Sequence, residues 1–180
     1  MISESNISKI IILVCVLLCF TNCQNNEQQT KISVSNTTEI DSTKITINDI
    51  SELQITEYAM SQMTKEKTSN WQAYNELSNK IEILRTGDLS FFRDDQAILK
   101  GFLTDLKNEV PESVESQAIL VRLKVIETLF LKLEGLASIN VAKKKDLLNN
   151  IKEILLCYSN LIFQMNKKFE KESQNIEKPI

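Results

Sequence analysis

Apolar residues recur at helical spacing along most of the chain, in four tracts at about residues 48–86, 89–108, 112–138 and 141–173. In the last tract the spacing alternates between three and four residues, which is typical of a coiled-coil seam. This seam consists of Leu148, Ile151, Leu155, Tyr158, Ile162, Met165 and Phe169. The tracts are joined by short connections, which favour antiparallel neighbours. The pattern predicts an all-α fold, an antiparallel up-and-down bundle of about four helices.

Residues with strong preferences at helix ends give the limits of these tracts. Asn48 or Asp49 is the expected N-cap of the first tract, and Gly87 is its expected C-cap. A break near residues 68–70 would divide the first tract into two helices. The second tract stops before Pro111, because the residue before a proline disfavours helical backbone.

The third tract is apolar around most of its circumference. Ile119, Leu123 and Ile126 form one stripe, while Val121 and Val125 lie at its sides. Helices of this kind are normally surrounded by other helices. We therefore expect the third tract in the middle of the bundle.

The amino-terminal segment differs from the tracts. Residues 10–20 (IIILVCVLLCF) are continuously apolar and follow a polar start that carries Lys9. A run of this length is too short to span a bilayer and matches the central region of a signal peptide. Cys23 follows almost directly, and the segment resembles the lipobox signal of bacterial lipoproteins.

The resemblance covers residues 1–23 and implies that the chain is cut before Cys23, whose sulfur is then acylated. Gln24 follows the cysteine, which favours sorting to an outer membrane, on either its periplasmic or its outer face. An uncleaved anchor helix is the alternative interpretation. Two or more acyl chains would anchor the protein durably.

A polar segment separates Cys23 from the first helical tract. Residues 24–46 are rich in Ser, Thr, Asn and Gln and have no sustained period, which is typical of a flexible tether. The predicted organisation is a signal peptide at 1–22, a tether at 23–47 and a helical domain at 48–175. On this view a chain that starts at Asn48 should melt at nearly the same temperature as one that starts at Gln24.

Composition narrows the function classes. The chain of 180 residues has three Gly, two Pro and no His, with 21 basic and 24 acidic residues. The few Gly and Pro disfavour an all-β fold, and the lack of His removes the commonest metal ligand and general base. The balanced charge gives no reason to expect nucleic acid. No cofactor motif or metal-ligand spacing is present, so we expect no enzyme activity, no metal and no cofactor.

Two charged residues fall within apolar arcs when the tracts are projected as continuous helices. Asp95 lies in the arc of the second tract and Arg122 in that of the third. An antiparallel pairing about Pro111 would bring them within reach, so a buried Asp95–Arg122 ion pair that fixes helix register is the main hypothesis. An anion-binding or partner-binding role is the alternative, and Glu57 is a second potential partner of Arg122.

Three aromatic residues and one cysteine complete the candidates. Trp71, Tyr74 and Phe102 could line a groove for a ligand, although aromatic residues at helical spacing are more often core residues. Cys157 would be the remaining free thiol of the mature chain, either packed as a small apolar residue or available for intermolecular pairing. The sequence thus predicts a lipid-anchored module of the cell envelope that binds a protein. A bundle that binds a small ligand or lipid between its helices is the alternative.

Overall fold

The computed structural model describes residues 44–139 and 142–174, and these form an all-α structure. Seven helices are present in this part of the chain. They are α1 (Ile47–Ser51), α2 (Gln62–Thr68), α3 (Gln72–Arg85), α4 (Ser90–Arg93), α5 (Gln96–Asn108), α6 (Gln117–Ala137) and α7 (Lys144–Ser173). The predicted fold class is confirmed. Cys23 and most of the predicted tether lie outside the described residues.

The long helix α6 packs antiparallel to α5 on one side and antiparallel to α7 on the other. Gln96 and Lys107 of α5 bond to Glu134 and Glu127 of α6, so the residue numbers run in opposite directions. Lys132 of α6 likewise pairs with Glu153 of α7. The predicted seam of α7 is confirmed at six of its seven positions, since Ile151, Leu155, Tyr158, Ile162, Met165 and Phe169 are buried, while Leu148 is only half-buried.

The first and second predicted tracts are more interrupted than their periodicity indicated. The expected break near residues 68–70 is present, because α2 ends at Thr68 and α3 begins at Gln72. Residues 52–61 form an additional irregular segment after α1. In the second tract, Asp94 has extended backbone and separates α4 from α5.

The domain begins earlier than predicted. The N-cap of α1 is Thr46 rather than Asn48 or Asp49, and Thr46 forms a reciprocal capping box with Asp49. Ile45 is buried in the core with 5% of its surface exposed. The boundary at residue 48 is therefore wrong, because the tether assignment extended over two residues that pack and cap.

The first tract ends beside Gly87, although the C-cap of α3 is Thr86 rather than the predicted Gly87. Gly87 follows α3 with a φ of 86°, a left-handed conformation that suits glycine after a helix. A Cβ at this position would lie 2.7 Å from the carbonyl oxygen of Ile45. The turn after α3 and the start of the domain are therefore in direct contact.

Candidate functional site

Asp95 and Arg122 do not form the predicted ion pair. Asp95 is exposed and caps α5, where its Oδ1 accepts a hydrogen bond of 2.8 Å from the Ala97 N–H. The projection failed because it assumed one continuous helix, whereas Asp95 lies just outside α5, in a position that aspartate favours. Glu57, the second potential partner of Arg122, instead pairs with Arg85 at 2.6 Å.

Arg122 is half-buried on α6. Its Nη1 donates a long hydrogen bond of 3.5 Å to the Ala118 carbonyl oxygen one turn earlier. Within the described part of the chain, no carboxylate lies within salt-bridge distance of its guanidinium. Arg122 therefore carries a charge that these residues do not neutralise.

Trp71, Tyr74 and Phe102 are core residues that belong to different aromatic contacts. Trp71 stacks on Tyr74 with 5.3 Å between ring centroids, and both are buried. The aromatic neighbours of Phe102 are Phe91 and Phe130. The structure does not bring the three side chains together in an open groove, and the more ordinary interpretation of them as packed core residues describes them correctly.

An open groove does run between α6 and α7, on the outer side of this helix pair. Its volume is about 650 Å³. The residues that line it are Val121, Arg122, Val125, Leu129, Glu153, Leu156, Cys157 and Asn160. Five of these residues are apolar, and the other three, Arg122, Glu153 and Asn160, carry charged or amide groups.

The α6 wall of the groove repeats every four residues, so its side chains lie on one helical face. Val121 and Val125 are 43% and 42% exposed, and Leu129 is half-buried. The expectation that the third tract is surrounded by other helices is therefore wrong for this face. Residue type could not separate these valines from core valines, because both kinds of position carry the same side chain.

Cys157 lies on the floor of the groove. Its Sγ is 3.7 Å from the Arg122 carbonyl oxygen, and only 9% of the residue is exposed. Burial raises the pKa of this thiol to about 11. A thiol of this kind is protonated near neutral pH and is a poor nucleophile, so it contributes shape and apolar surface to the groove.

One end of the groove carries an ion pair. Lys132 Nζ lies 2.9 Å from Glu153 Oε2, and each side chain is about half exposed. The hydrogen bond from Lys132 holds the pKa of the Glu153 carboxyl below its usual range. Glu153 is thus ionised and accessible at the edge of the groove, while Arg122 lies towards the other end.

A second feature that periodicity did not reveal is the irregular segment 52–61, which lies along α7. Ser159 Oγ donates to the Thr56 carbonyl and accepts from the Tyr58 N–H at 2.9 Å in each case. Two turns later, Asn166 donates to the Ala59 carbonyl and accepts from the Ser61 N–H. Buried or half-buried polar residues on the seam of α7 were the available signal, since such groups need partners.

The comparisons with known proteins give no relative from which a role could be transferred. No protein-family model, no curated protein and no solved structure matches the chain. In the described ranges, no group of three or more Cys, Asp or Glu is placed to hold a metal ion. Of the helices in these ranges, none is both long enough and apolar enough to cross a membrane.

Proposed function

We propose that this chain is a lipid-anchored protein-binding module of the cell envelope, without enzymatic activity, and that it binds its partner through the groove between α6 and α7. The exposed Val121–Val125 face of that groove is the observation that supports the proposal. Two exposed valines one turn apart, with the half-buried Leu129 and Leu156 beside them, form a small apolar patch in an open groove, and this patch is what we take as the docking surface.

The shape of the groove favours a protein over a small ligand. Sites for small molecules usually enclose most of the ligand surface. This groove is open along its length between the two antiparallel helices, which suits contact with the surface of a protein partner. The alternative of a ligand-binding bundle finds less support, because Trp71, Tyr74 and Phe102 are packed within the core.

The lipid anchor in this proposal rests on the sequence around Cys23. Acylation there would hold the domain at a membrane, and Gln24 favours the outer membrane. We expect Cys23→Ser to remove the attachment point and leave unprocessed precursor. Metabolic labelling with a fatty-acid analogue measures this directly. Persistent label in Cys23→Ser, or processing at the normal position, would contradict the anchor.

Site-specific photo-crosslinking in intact cells tests the groove. A photoreactive phenylalanine analogue replaces Val125 in the full chain, and the same analogue at Ile83 serves as the control. Ile83 is 47% exposed on α3 and does not line the groove. We expect a covalent protein adduct from position 125 that Val121→Asp diminishes, and little from position 83. Equal adducts from both positions, or none from position 125, would exclude the groove as the docking surface.

A further inference from the structure

We propose that the partner that occupies the α6–α7 groove is a second copy of this chain, in an antiparallel two-fold arrangement. The inference rests on the proposed function, in that it takes the groove as the docking surface and names its occupant. It is supported by the arrangement of apolar and charged side chains on either side of Val125.

The apolar wall is symmetric about its middle. Val121 and Leu129 each lie about 6 Å along α6 from Val125, given a rise of about 1.5 Å per residue. A two-fold axis across the groove at Val125 places this valine against its own copy. The same axis places Val121 against Leu129 of the second copy. Apolar side chains therefore face apolar side chains along the whole wall.

The charges of the groove are complementary about the same axis. The Cys157–Arg122 contact and the Lys132–Glu153 pair give the register of α7 against α6. In that register Arg122 lies about 4–5 Å to one side of Val125 along α6, and Glu153 lies on the other side of it. The two-fold operation therefore brings Arg122 of each copy beside Glu153 of the other.

These two groups are available for such a contact. Arg122 has no carboxylate partner among the described residues. Glu153 pairs with Lys132, and both side chains are about half exposed. Exposed ion pairs contribute little to stability, so Glu153 can share its carboxylate with a second cation at little cost. An isologous interface repeats the contact twice, with an apolar centre and a charged rim.

Cysteine crosslinking of the full chain in membranes tests this arrangement. Val125→Cys is introduced with Cys157→Ser, and a short bismaleimide is added. We expect a crosslinked species of twice the chain mass, because the two position-125 side chains face each other across the axis. Cys157→Ser alone reports crosslinks through the amino-terminal cysteines, and Ile83→Cys with Cys157→Ser reports random collision. No dimer from position 125, or as much from position 83, would overturn the proposal.

Charge reversal provides the second arm. Arg122→Glu and Glu153→Arg each place like charges together twice in the dimer, so each should reduce the crosslinked fraction about tenfold or more. The double variant Arg122→Glu with Glu153→Arg restores opposite charges and should recover the dimer. Circular dichroism confirms that each variant is folded. Failure of the double variant to recover the dimer, with all three variants folded, would contradict the predicted pairing.

The two proposals can fail separately. If position 125 gives no homodimer by bismaleimide but still captures a different protein by photo-crosslinking, the second copy is excluded and the protein-binding function stands. If neither experiment gives a product from position 125, both proposals fail.

Discussion

Asn150 lies on the buried face of α7, where its side chain is completely excluded from solvent. Its neighbours on this face are Leu147, Ile151 and Ile154, which are also buried. Within the described residues, neither Nδ2 nor Oδ1 of Asn150 makes a hydrogen bond of normal geometry, although the amide lies close enough to the Glu153 carboxyl to help lower the pKa of that group. A buried amide without partners costs about 1–3 kcal/mol, because the hydrogen bonds it made to water are not replaced. Asn150 therefore lowers the stability of the helix face that contributes most to the core.

We expect Asn150→Leu to raise the free energy of unfolding by about 1–3 kcal/mol, because leucine has the same branched arrangement of heavy atoms and needs no hydrogen bond. Urea unfolding of the purified protein measures the change. Asn149→Leu is the matched control, since Asn149 is the exposed neighbour on the same helix and should change stability by less than about 0.5 kcal/mol. A loss of stability in Asn150→Leu would show that the amide is not a net cost.

The short elements at the start of the domain depend on each other. Ile45 packs into the core, Thr46 caps α1, and the carbonyl of Ile45 lies against the turn at Gly87. Each contact involves only a few residues, and together they join the first residues of the domain to the turn at the end of α3. The element is small, so single changes within it should have measurable effects.

A chain that begins at Asn48 should be less stable than one that begins at Lys44 by at least about 2 kcal/mol. It lacks the buried Ile45 side chain, worth about 1.5–3 kcal/mol, and the Thr46 cap, worth about 0.5–2 kcal/mol. Thermal and urea unfolding of the two chains give the difference. Equal stabilities would restore the boundary at residue 48 that composition predicted.

Gly87→Ala should destabilise the protein by about 1–3 kcal/mol, because alanine is strained at a φ of 86° and its Cβ would meet the Ile45 carbonyl. Gly101→Ala is the control. Gly101 lies within α5 and a Cβ there meets nothing within 4 Å, so alanine should stabilise the helix by about 0.5–1 kcal/mol. The two changes should therefore have opposite signs in the same unfolding assay, and equal signs would contradict the geometry at Gly87.

At the scale of the whole molecule, α7 connects the parts of the domain. It packs antiparallel against α6, holds segment 52–61 through Ser159 and Asn166, and bonds to α1 through Lys144 and Asp49. The Lys144–Asp49 distance is 2.8 Å. The hydrogen bond from Lys144, together with that from Thr46, lowers the pKa of the Asp49 carboxyl from 3.8 to about 2.

The lowered pKa of Asp49 predicts how the free energy of unfolding changes at acid pH. A carboxyl with a lowered folded-state pKa stabilises the protein above its unfolded-state pKa, and the contribution is lost as the pH falls towards the folded-state value. We therefore expect the stability difference between the wild type and Asp49→Asn to be constant above about pH 5 and to narrow from pH 4 to pH 2. Urea unfolding at several pH values measures it, and Lys144→Met should show the same narrowing. A difference that does not depend on pH would exclude the ion pair as its cause.

The sequence predicted the parts of the fold that depend on local periodicity. The buried seam of α7 followed from its spacing, because Ile151, Leu155 and Met165 belong to one uninterrupted helix. Segment 52–61 could not be predicted in this way, since its partners on α7 are about a hundred residues away in the chain. The prediction that Asp95 is buried was wrong because a helical projection has no information about where a helix begins. The groove was missed because an exposed valine and a buried valine look the same in a sequence.

The position of α7 after the six other helices of the described residues has a consequence for the order of synthesis. Thr56, Tyr58 and Ala59 find their hydrogen-bond partners in a helix that the ribosome makes about a hundred residues later. At about 5–20 residues per second, the early segments wait several seconds or more before that helix exists. The hydrogen bonds between segment 52–61 and α7 can therefore form only late in synthesis, which is compatible with the export that we propose.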